Sequence, residues 1–148
     1  MNARTKYRAM LRAGLVGDFD AAEQLGTELG EVAWNDSGLL VNALFVLAVQ
    51  RKFDDDTDRD VIREFVRETL DDYKSADPPF KPLMTEGLIR SVLGEEELYP
   101  EIPKNEAIPV QTAIINKIVA DARTSPDKVD ELLDKAEKLA DRWIQQSK

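Results

Sequence analysis

Three aspartates at alternate positions, Asp54, Asp56 and Asp58, are the residues whose type and spacing come nearest to metal chemistry. A calcium loop of the EF-hand kind uses such a row for its first three ligands. It then needs glycine at the sixth position for the sharp turn and a bidentate glutamate at the twelfth. Here those positions hold Arg59 and Phe65. The loop therefore lacks both the turn and the last ligand, and the row reads as the start of a helix, with Thr57, Asp58 and Asp60 capping it and complementing its positive end. No metal site is expected.

Other chemistry is limited by what the chain lacks. It has no cysteine and no histidine, which removes thiolate and imidazole nucleophiles, zinc and iron–sulfur sites built on them, and the usual neutral-pH base. Carboxylates are plentiful, among them Asp71, Asp72, Glu95, Glu96 and Glu97. A hydrolase would need two of them buried as a pair with separated acidities, and these fall on polar faces or loops. No glycine-rich phosphate loop is present. No cofactor and no catalytic residue are expected.

Two arginine rows repeat at helical spacing. Arg4, Arg8 and Arg12 lie at i, i+4, i+8 in a stretch, residues 1–16, that carries four bases and no acid. The rest of the chain holds sixteen bases against twenty-nine acids. A row backed by so acidic a body points to the protein's own carboxylates, to water or to an acidic partner rather than to phosphates, so nucleic-acid binding is not expected. The second row, Arg59, Arg63 and Arg67, has Asp60 and Glu64 three residues before its last two members and largely neutralises itself. The acidic body favours a basic protein partner, and a homodimer is the other association considered.

The elements that position these residues read as helices throughout. Tyr7, Met10, Leu11 and Leu15 make one apolar face, closed by Gly17; Ala22, Leu25, Leu29 and Val32 make the next. Asn35-Asp36-Ser37 reads as a turn with a cap. About residues 38–51 the chain is apolar on nearly every side, which requires a helix surrounded by others. Its longest apolar run, Leu39 to Val49, is too short to span a bilayer, and no signal-peptide pattern is present. A fourth helix starts at Thr57 and a fifth at Pro82, ending at Gly94. Pro109 reads as the opening of a sixth, and Ser125-Pro126 as that of a seventh, with Glu131–Lys135 and Asp134–Lys138 as outer ion pairs.

A shift of 34 residues aligns Tyr7, Met10, Leu11 and Leu15 with Val41, Leu44, Phe45 and Val49. The segment Gly17-Asp18-Phe19-Asp20-Ala21-Ala22 resembles the turn inside a tetratricopeptide hairpin. The resemblance covers six residues and implies stacked helical hairpins, with no function carried over. The fold expected is all-α: one domain, residues 1–148, of six to seven helices in antiparallel hairpins around the helix at about 38–51.

One long connection interrupts the helices. Residues 95 to 108 combine Glu95, Glu96 and Glu97 with Leu98, Tyr99 and Ile102 and several prolines. Such a segment is either a partner-binding loop or a strap whose Leu98 and Ile102 cover one end of the bundle, and the cost of exposing apolar side chains favours the strap. The functional reading is a non-catalytic interaction or adaptor module. An acidic inhibitor or immunity-type protein that masks a basic partner is the alternative, and a carboxylate enzyme or a binder of a small apolar ligand comes third. The absence of cysteine fits a reducing cytoplasm.

Overall fold

The computed structural model describes residues 3–29, 34–54, 56–75, 79–95, 97–98, 102 and 104–146. Among them the chain forms seven helices and no strand: α1 (Ala3–Leu15), α2 (Phe19–Leu29), α3 (Trp34–Lys52), α4 (Arg59–Asp72), α5 (Pro82–Val92), α6 (Lys104–Asp121) and α7 (Pro126–Gln146). None of these helices is long and apolar enough to cross a membrane. By internal packing the chain divides into two units, one of Met1–Leu47 with Val119–Lys148 and one of Ala48–Ile118.

Local signals set most helix ends. Gly17 takes a φ of 89° after α1, where the Asp18 N–H donates to Ala13 O at 2.8 Å and the Gly17 N–H to Gly14 O at 3.3 Å. This six-to-one closure satisfies carbonyls that the helix end would leave bare, and it needs a left-handed residue. Gly94, at φ 113°, does the same after α5, with the Glu95 N–H on Arg90 O at 3.1 Å. After α6 the left-handed position falls to Arg123, at φ 51°, and the Thr124 N–H reaches Val119 O at 3.1 Å. A side chain there is strained. At the start of α7 the Lys128 N–H donates to Ser125 Oγ at 3.3 Å, with Pro126 in the first turn.

The structure departs from local reading in four places. The turn expected at 35–37 lies inside α3, which starts at Trp34. The cap of α4 is Asp58, whose carboxylate accepts from the Asp60 N–H at 3.1 Å, while Thr57 belongs to the preceding turn. Pro109 sits inside α6, which begins five residues earlier. Proline there forfeits one backbone hydrogen bond, but Ala107 and Val110 on either side are 2% and 0% exposed, and their packing carries the helix through. On α7, Glu131 pairs with Lys128 and Asp134 with Arg8, in place of the expected i+4 lysines.

The buried side chains follow the apolar pattern closely. On α3, Leu40, Val41, Ala43, Leu44, Phe45, Ala48 and Val49 are all essentially inaccessible, while Leu39, Val46 and Leu47 are only partly buried, so the helix is enclosed on most of its circumference and not all round. α7 turns Val129, Leu132, Leu133, Ala136 and Ala140 inward as one stripe. α4 does the same with Ile62, Phe65, Val66 and Thr69. In the first unit α1 packs on α2 and α7; in the second α4 packs on α5.

Candidate functional site

The row Arg4, Arg8 and Arg12 faces carboxylates of its own chain. Arg4 reaches Asp141 at 2.7 Å, Arg8 reaches Asp134 at 2.8 Å and Glu137, and Arg12 reaches Asp130 at 2.7 Å. The acids sit at Asp130, Asp134, Glu137 and Asp141, a continuous stripe of α7, and the order of pairing makes the two helices antiparallel. Two guanidiniums also donate to α7 carbonyls: Arg4 to Glu137 O at 3.2 Å and Arg8 to Asp130 O at 3.3 Å. The Arg12 guanidinium holds the Asp130 carboxyl below its ordinary range, mainly by hydrogen bonding. The row is therefore engaged inside the molecule.

The carboxylates of Asp54 and Asp58 are engaged within their own turn, and Asp56 is exposed. The Asp54 carboxylate accepts from the Asp56 N–H at 3.0 Å and from Thr57 Oγ1 at 3.1 Å, and Asp58 caps α4. Among the described residues no three acidic side chains converge as a cation site would require.

From the long connection, Glu96 and Tyr99 lie outside the described residues. Glu95 is clamped by Arg90, at 2.5 Å, and approached by Arg59 at 3.4 Å, and the Arg90 hydrogen bond holds its carboxyl below the usual carboxylate pKa range. Leu98 and Ile102 are half-buried and Glu97 is exposed. The Ile102 Cδ1 lies 3.8 Å from where a Cβ on Gly87 of α5 would stand. Beside it, Glu86 is the buried carboxylate of α5; its side chain is 11% exposed and is held by Arg63 at 3.1 Å and Arg90 at 3.0 Å. A buried carboxylate between two guanidiniums is charge-compensated, which is the opposite of a paired-carboxylate acid–base site.

Sequence reasoning passed over a concavity between the end of α3 and α4. It is a shallow open depression of about 600 Å³ lined by Lys52, Phe53, Thr57, Asp60, Val61, Glu64, Phe65 and Glu68. Phe53 and Phe65 form its floor, edge to face with centroids 5.4 Å apart. The Lys52 ammonium lies 5.3 Å from the Phe65 centroid and 5.7 Å from that of Phe53; Lys117 approaches Phe65 at 5.7 Å. Both cations mark the electron-rich faces of these rings. Val61 is 53% exposed on the wall. Asp60, Glu64 and Glu68 follow one another at i, i+4, i+8 along the rim, all more than half exposed. Each is paired within the chain: Arg67 on Glu64 and Arg63 at 3.7 Å from Asp60 are exposed, while Lys117, at 3.7 Å from Glu68, has a side chain only 10% exposed. The signal was present in the sequence as an acidic row adjoining Val61 and Phe65. It reads as mere charge balance because α4 carries arginines at the same spacing.

No protein-family model matches the chain, and neither a curated protein nor a solved structure is detectably similar to it.

Proposed function

We propose that the protein is a non-catalytic interaction module, an adaptor or regulator, that engages a basic protein partner. The observation that carries this reading is the disposal of charge. The arginines of α1 are used up on α7, so the cationic row that could have met phosphates is instead paired with four carboxylates of its own chain, which leaves that face one negative charge in excess. With a formal net charge of −9, the remaining surface repels polyanions and attracts cations. Such a field steers association and selects the partner's sign, while apolar contact supplies most of the binding energy. The lack of cysteine supports work in a reducing compartment such as the cytoplasm.

An inhibitor that masks a basic surface would use the same field. The two readings separate by consequence: an adaptor leaves its partner active, whereas an inhibitor abolishes the partner's activity at one-to-one stoichiometry. Affinity capture from native lysate, eluted with a salt gradient, tests the shared premise. The expected eluate is a basic protein released as salt rises. Co-purifying nucleic acid, lost in an Arg4→Glu/Arg8→Glu/Arg12→Glu variant, would overturn the reading.

A further inference from the structure

We infer that the α1–α2 hairpin, residues 3–29, is an arm latched onto α7 by charge, which lifts as one piece while the rest of its unit stays folded. Burial within the first unit is uneven. On α3, Leu40, Val41, Leu44 and Phe45 are at most 1% exposed, and on α7 Val129, Leu133 and Ala136 are fully buried. α2 buries no side chain, and Phe19 at its start is 71% exposed. α1 buries Tyr7, Leu11 and Ala13, each still 5–8% exposed. Opening a segment costs mainly the apolar surface it must return to water, so the hairpin is the part of the unit whose detachment costs least.

The hairpin has contacts of its own that keep its two helices together. The Gly17 turn closes it, and Lys6 lies 3.9 Å from Glu28. Gly26 lets α2 come so near α1 that a Cβ there would stand 3.5 Å from Met10 Sδ. Its tie to α7 is the charge ladder, three guanidiniums against four carboxylates and two main-chain carbonyls. The arginine side chains of the ladder are 23–41% exposed and the acids 30–61%, so water and ions reach the pairs and salt weakens them. Apolar burial is not weakened in that way. Lifting the arm uncovers Asp130, Asp134, Glu137 and Asp141 together, so the exposure of this acidic stripe follows the salt around the protein.

The test is native-state amide hydrogen exchange of the full chain from about 0.05 M to about 1 M sodium chloride, with each helix normalised to the core of α3. Amides of residues 3–29 are expected to open together, ahead of those of α3 and α7, and about tenfold more often at the high-salt end. Arg8→Gln/Arg12→Gln is expected to raise that opening at low salt and to remove most of its salt dependence, which a merely structural loss would leave in place. Arg63→Gln/Arg67→Gln on α4 is the matched control and should leave residues 3–29 unchanged. Exchange of residues 3–29 only through global unfolding, with the protection of α3, would overturn the arm. Opening of α2 alone, or of α7 together with the hairpin, would overturn the hairpin as the moving piece. Opening that does not respond to salt would overturn the latch. The salt series on the unaltered protein decides these outcomes even if a variant unfolds.

Discussion

α1 and α4 carry arginines at the same spacing, Arg4-Arg8-Arg12 and Arg59-Arg63-Arg67, and the two rows have opposite fates. Those of α1 are half-buried, 23–41% exposed at the side chain, and pair with acids more than a hundred residues away on α7. Those of α4 are 58–77% exposed; Arg67 pairs within its own helix, Arg63 divides itself between Asp60 and Glu86, and Arg59 reaches Glu95. A charged row thus becomes interhelical glue or an open rim according to the helix that lies beside it. α7 supplies four acids in register with α1. Beside α4 the chain leaves a depression, and the row's acids face outward.

The largest expected loss lies away from both rows, on α3. Leu44→Ala or Phe45→Ala, at 0% and 1% exposure on α3, should each cost about 2–5 kcal/mol, read by denaturant unfolding. Losses below about half a kilocalorie for both would remove α3 from the core.

Charge reversal on matched arginines breaks the comparison directly. Arg8→Glu places a carboxylate against Asp134 and Glu137 and should lower the melting temperature clearly, more at low salt than at high. Arg67→Glu should change it little, because its exposed partner Glu64 is a near neighbour on the same helix. Equal shifts would mean that the α1–α7 pairs are as dispensable as those of α4.

Titration sharpens the same contrast. Asp130, held low by Arg12, ionises more readily folded than unfolded. Its contribution is therefore present above the ordinary aspartate value of 3.8 and is lost as pH falls through its lower folded value. Arg12→Gln should flatten that acid limb in pH-dependent melts. At the other extreme, burial pushes the Tyr7 hydroxyl up to about 12. Its contribution is complete below 10 and lost as pH rises from 10 towards 12, so Tyr7→Phe should remove part of the alkaline loss.

The smallest effect is local. Arg123→Gly relieves a left-handed side chain before α7 and should stabilise by about 0.5–1 kcal/mol, against the entropy glycine loses on folding.

The all-α class, the stops at Gly17 and Gly94, the start at Ser125-Pro126 and the burial of Leu40, Val41, Leu44, Phe45 and Val49 were all legible in the chain. Each follows from interactions within a few residues, or from an apolar pattern that only a surrounded helix satisfies. The structure revised readings where packing outweighed a local signal: α6 runs through Pro109 between buried Ala107 and Val110, and α3 absorbs the expected turn at 35–37. The depression at Phe53, Val61 and Phe65 escaped notice because it forms only when the end of α3 turns back beside α4. The helical period places Arg4, Arg8 and Arg12 on one face of α1. Their pairing with Asp130, Asp134, Glu137 and Asp141 was decided by tertiary structure alone, because a charge row encodes a spacing and a sign, while the choice among many acidic rows belongs to the apolar packing that brings two helices together.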